Sequence, residues 1–343
     1  MKIRLSVLFV ALIILFTFHP AGAQSASGYH LLKKFVLGGA GGWDLLGFDA
    51  ENKRLYLSRG THVMIVDPDS GAVTGDLPNT PRVHGIAIAP EFGKGFTSNG
   101  GDATVTMFDL KTLKVLAQIK VGKNPDAIIY DPASKRVFSF NAGNSNVTAI
   151  DARSGDVAGT LALGGQPELA VADEHGKIFV NLEDKSSIVQ FDARNLTLDA
   201  TWPLAPGEGP TGLAIDRKHH RLFAACDNKL MAVVNSETGK LVTTFPIGTG
   251  VDGAAFDQER QLVFSSNGEG TLTVVHEDSP EKFRVLENVT TARGARTIEL
   301  DQKGHRVFVV TAEFGATPAA TAQVPRPRPA MVPGSFTLLI FGK

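Results

Sequence analysis

Seven positions spaced 40 to 44 residues apart carry the side chains with the most chemical potential in this sequence: Asp44, His84, Asp126, Glu168, Thr211, Asp252 and Arg296. Four carboxylates brought to one place repel one another, which raises some of their pKa values unless a cation offsets the charge. Asp44, Asp126, Glu168 and Asp252 are oxygen donors of the kind a hard divalent cation such as Ca²⁺ or Mg²⁺ accepts. His84 would admit a transition metal instead. The same set could run acid–base chemistry. Glu168 or Asp126 would then be the general base, helped by His84, while Arg296 holds an oxyanion or a substrate carboxylate. With no ligand at all, Arg296 is expected to pair with Asp44 and Asp252 across a hydrated channel.

Each of these residues stands second in a recurring segment, such as P-D-A-I-I-Y-D at 125–131 and V-D-G-A-A-F-D at 251–257. The unit that follows is clearest from Lys123 to Leu163. Four short apolar runs of alternating or β-branched character are separated by three turn clusters, which suits half-buried strands. Asp131-Pro132-Ala133-Ser134 and Asp151-Ala152-Arg153-Ser154-Gly155 are turn sequences. The aromatic residue of the second run recurs as Tyr56, Phe96, Phe138, Phe179, Phe223, Phe264 and Phe308. Seven four-stranded units at this period predict an all-β fold, a seven-bladed β-propeller of antiparallel blades. In that fold the first strand of each blade lines the central channel. The links entering strand one share a face with the links between strands two and three, so the seven residues form a ring at one mouth.

The seventh unit supplies only three strands, at Arg296–Leu300, Arg306–Val310 and Phe336–Phe341. The segment His30–Gly38 resembles the fourth run of the second unit and is expected to complete the last blade and close the ring. Between the second and third strands of that blade lies a Pro- and Ala-rich insertion, about 313–334, read as a surface loop or a flap over the mouth.

The rest of the sequence bounds the compartment and partners. Lys2 and Arg4, an apolar stretch from Leu5 to Phe18 and Ala21-Gly22-Ala23 predict a signal peptide over 1–23, cleaved before Gln24. The mature chain, 24–343, is expected to be a single propeller domain in the periplasm or outside the cell. It is expected to have no membrane span and to be a monomer. Net charge is −1 and no basic run occurs, which gives no support for a nucleic-acid partner. One cysteine, Cys226, allows no internal disulfide. The motifs H-E-x-x-H, C-x-x-C and G-x-S-x-G are missing.

A second set, Arg59, Asn99, Asn141, Asn267 and Thr311, ends strand two on the mouth side. It is read either as turn-capping or as a hydrogen-bonding rim for a ligand. Trp43 beside Asp44 is read as a stacking platform or as packing between blades one and seven. His175, His219, His220 and His305 fall in the links on the opposite face.

The runs Phe96-Thr-Ser-Asn99, Phe138-Ser-Phe-Asn141 and Phe264-Ser-Ser-Asn267, with x-P-x-x-I-x-x-D before and V-x-x-I-D after, resemble the YVTN-type seven-bladed propeller repeat. The resemblance extends over the mature chain and to the YncE-like exported bacterial proteins. It implies the fold and, as an expectation, a non-catalytic binding or scaffold protein that engages a small ligand, a cation or a protein at the mouth. Related propellers include lactonases and lyases, and His84, Glu168 and Arg296 match the residue types that seven-bladed lactonases use. A lactone hydrolase or lyase is therefore the alternative, and a platform using the Pro-rich loop is a third.

Overall fold

The seven aromatic residues of the second strands are each 2% exposed or less. Each lies in the middle of a sheet and packs where one blade meets the next, so no blade could bury its ring alone. A computed structural model describes residues 26–319, 321, 327 and 329–343. The expected signal peptide and part of the Pro-rich insertion lie outside these residues.

Seven four-stranded antiparallel sheets form the ring. Their first strands are Leu46–Asp49, Val83–Ala89, Pro125–Asp131, Pro167–Ala172, Pro210–Asp216, Val251–Asp257 and Ile298–Asp301. Each contacts the first strand of the next blade, and the seventh contacts the first, which closes the circle. Small residues permit this approach: a Cβ on Gly212 would lie 2.8 Å from the backbone of Gly253 in the neighbouring blade.

The last blade is composite, as expected. His30–Val36 pairs antiparallel with Thr337–Gly342, from His30 opposite Gly342 to Val36 opposite Thr337. The turns follow the sequence reading too. Asp109, Asp151 and Asp192 each accept two amide hydrogen bonds from their own turns through one carboxylate oxygen. Among the described residues no helix is long and apolar enough to cross a membrane.

Candidate functional site

The ring positions sit at a backbone irregularity. In blades two to six the register between strands one and two shifts at the ring residue, for example between Pro125 and Ile128 and between Val251 and Gly253. Such a bulge re-aims a side chain that a regular pleat would point elsewhere. In blades one and seven the strand starts later, so Asp44 and Arg296 lie in the entering link.

Hydroxyl and amide side chains then fix the backbone of the mouth from blade to blade. Ser98 Oγ donates to the Asp126 carbonyl, and Ser266 Oγ to that of Arg296. Asn181 Nδ2 donates to Gly212 (2.9 Å), Thr211 Oγ1 to Val251 (3.0 Å) and Thr297 Oγ1 to Asp44 (2.9 Å). Each bond joins one blade to the next. Thr211 therefore uses its hydroxyl on the scaffold.

Of the four expected cation ligands, two converge with the histidine. His84 Nδ1 donates to Asp44 Oδ2 at 2.6 Å and lies 3.6 Å from Asp126 Oδ1. One donor atom from each of these three residues falls within 4.8 Å of the others, a group that excludes Glu168 and Asp252. Arg296 takes the opposite side, 2.9 Å from Asp252 and 3.9 Å from Asp44, the pairing anticipated from the sequence.

The charges remain unbalanced. Burial lowers the pKa of His84, but its bond to Asp44 and the charges of Asp126 and Asp44 outweigh this and raise it overall. Burial pushes Asp126 up to about 6 against the pull of His84. It pushes Asp252 up to about 7 despite Arg296. Glu168 is raised furthest, by burial and then by repulsion from Asp126, Glu183 and Asp252. Protons therefore stay on some of these acids near neutral pH.

Above the ring lies a cavity of about 710 Å³. Arg293 and Arg296 line its blade-seven side, while Glu183, Asp227 and Asp252 line the side of blades four to six. Trp43, Phe314 and Met331 supply the apolar wall. Phe314 and Met331 belong to the Pro-rich insertion, whose two ends form an isolated bridge at these residues. Trp43 packs against Phe314 (centroids 6.0 Å apart) and against Phe336 of blade seven (5.5 Å), so it both joins the blades and lines the cavity. The described ends of the insertion thus flank the mouth.

A second cavity, of about 340 Å³, follows the channel inward along Leu46, Phe48, Ile86, Ile128 and Leu169. One acid interrupts this apolar wall, Glu299, and burial pushes it to about 7. It was missed at the sequence level because it follows the ring position by three residues, where the other blades carry Gly, Ala, Ile or Val.

The expected rim is placed differently from an exposed one. Arg59, Asn99, Asn141 and Asn267 are fully buried. Arg59 donates to the carbonyls of Gly38, Ala40 and Gly41, and its guanidinium stacks 3.5 Å from the Phe336 ring centroid. Asn99 Nδ2 donates to Thr104 and Thr106 while its Oδ1 accepts from Thr97. Asn141 and Asn267 repeat this arrangement. Their amides are spent on side chains that hold strands two and three together, an arrangement that is neither turn-capping nor an open rim. Thr311 donates to the Arg293 carbonyl at 2.6 Å and thereby braces a cavity residue. Comparison of the chain with known protein-family patterns and with curated proteins finds no match.

Proposed function

We propose that this chain is an exported, non-catalytic binding propeller of the YVTN-repeat type, whose upper mouth takes a small zwitterionic ligand. One observation carries the reading: the cavity above the ring has arginines on one side, carboxylates on the other and an aromatic wall beside them. A ligand with a carboxylate and an ammonium group, such as an amino acid or a short peptide, matches both sides. Arg293, which is exposed, offers a planar fork suited to a carboxylate. Glu183 and Asp227 offer acceptors for the ammonium group. Export rests on the apolar stretch and small-residue site of the first 23 residues.

The test is a thermal-shift and calorimetric screen of amino acids and short peptides against the mature protein. A raised melting temperature for one ligand class, with affinity reduced about tenfold in Arg293→Ala and in Glu183→Gln, would support the proposal. Binding indifferent to both substitutions, or no shift with any member of the panel, would exclude it.

The Asp44–His84 pair favours a second reading, hydrolysis of a lactone or a lyase reaction. A carboxylate on Nδ1 fixes the tautomer and leaves Nε2 as the basic atom. Nε2 of His84 has no hydrogen-bond partner. Turnover of lactones that disappears in His84→Ala would replace the binding proposal with this one. Deleting the insertion tests the third possibility, a protein platform.

A further inference from the structure

On the face opposite the mouth, between blades five and six, four buried polar atoms crowd together with no partner outside their own group. They are Asp216 Oδ2, His219 Nδ1 and both carboxylate oxygens of Glu277. His219 Nδ1 lies 2.7 Å from Asp216 Oδ2 and 3.3 Å from Glu277 Oε1. The Glu277 side chain is wholly shielded from solvent, as is that of Asp216. Leaving a buried carboxylate unsatisfied costs free energy, so such groups normally have partners.

The other blades show that this arrangement is not required by the fold. Glu277 follows the last residue of the regular third-strand motif. Its amide donates to Gln261, a bond that Leu110, Ala152, Ala193 and Ser236 make at the same place in blades two to five. Four blades thus fill this buried position with Leu, Ala or Ser, and blade six inserts an acid. Asp257 and His305 supply a second comparison. They stand 2.7 Å apart, like Asp216 and His219, but they are hydrogen-bonded and face the exposed Glu259 rather than a buried acid.

The nearest cation does not supply the missing partner. Arg221 donates through Nε to Pro280, through Nη1 to the carbonyls of His219 and His220, and through Nη2 to Glu281. Asp216 spends its other oxygen on the Lys218 amide.

We propose that Asp216, His219 and Glu277 form a binding site for a borderline divalent cation of the Zn²⁺ type. Two carboxylates and one imidazole suit such an ion better than Ca²⁺, which prefers oxygen donors alone. Metal–ligand bonds of about 2.0–2.2 Å put tetrahedral donors roughly 3.4 Å apart; the 3.3 Å between His219 and Glu277 matches this, and the 2.7 Å between His219 and Asp216 would open as the ion entered. Bound Zn²⁺ would take the orphaned oxygens and the His219 nitrogen, cancel the repulsion of the two acids, and tie blade five to blade six. A quarter of the His219 side chain is open to solvent (24%), which provides the route of entry.

The experiment uses mature protein stripped with a chelator and then titrated with Zn²⁺ by calorimetry, with metal counted after gel filtration. A His84→Ala background removes the upper Asp44–His84–Asp126 group as a competing site. One Zn²⁺ per chain should remain in that background and raise the melting temperature by several degrees, as expected for a ligand that binds the folded state alone. Glu277→Gln and His219→Ala should each weaken binding by about tenfold or more. Glu277→Leu restores the residue type of Leu110. It should fold, melt no lower than the stripped parent and take up no metal. Failure of the His84→Ala protein to bind Zn²⁺, or uptake that persists in Glu277→Leu, would overturn the proposal.

Discussion

Arg296 Nη1 stands 2.9 Å from Asp252 Oδ2 across the boundary of blades six and seven, yet burial still holds Asp252 at about 7. The unfolded carboxyl titrates near 4, so between these values the native state keeps a proton that the unfolded chain has lost. The stability that Asp252 contributes therefore falls as pH rises through this window and is gone above about pH 7, while Glu168, raised further, carries the decline to higher pH. Asp126 and Glu168 are shifted in the same direction. Urea unfolding at pH 5 and at pH 8 should show the loss. Asp252→Asn should reduce it by an amount on the order of 1–3 kcal/mol. A parent protein more stable at pH 8 than at pH 5 would contradict the charge balance described for the ring.

Arg59 predicts a large stability effect far from any ligand. Its guanidinium is buried, donates to the Gly38–Gly41 loop and stacks on Phe336. Arg59→Ala should leave those carbonyls unpartnered and cost about 3 kcal/mol in chemical denaturation. Arg59→Lys should recover little, because an ammonium group cannot span the same acceptors or stack on the ring.

Asn267 separates structure from binding at the former rim. Asn267→Ala removes bonds to Ser265, Thr271 and Thr273 inside the sheet. It should destabilise the protein by about 2 kcal/mol and leave ligand affinity unchanged below the melting transition. A selective loss of affinity with unchanged stability would return Asn267 to the ligand site.

Trp43 and Phe314 test the aromatic wall. Phe314→Ala removes cavity lining contributed by the insertion while leaving Trp43 packed on Phe336. Calorimetry should show ligand affinity reduced about fivefold to tenfold, with little change in melting temperature. Trp43→Ala should lower both affinity and stability, since that residue also joins blades one and seven.

The fold was legible because its signals repeat. Phe138 and its six counterparts, and the turn acids such as Asp151, recur at a period that only a ring of blades explains. The ring of Asp44 to Arg296 followed from the same alignment, as did the pairing of Arg296 with both acids. Burial of the rim did not follow, although a signal existed. Asn99 has a hydroxyl residue two positions before it and others five and seven after it, and Asn141 has Ser139, Asn146 and Thr148 at the same offsets. Those polar side chains are the amide's partners within the hairpin. Glu299 and Glu277 were hidden for another reason. Each is one acid at a position that most blades fill with apolar or small residues, and periodicity reads the consensus rather than the exception.

The pairing of His30–Val36 with Thr337–Gly342 also governs the order of assembly. The two partners lie at opposite ends of the chain, so loop closure spans nearly the whole sequence. Blades one to six each draw on one contiguous stretch of sequence, whereas the seventh waits for strands that are far apart in it. Until residue 342 emerges, the chain is an open arc with an unpaired strand at each end, a template for intermolecular pairing. The ring therefore cannot close before both partners are in place, and anything that withholds one of them leaves that edge open to another chain.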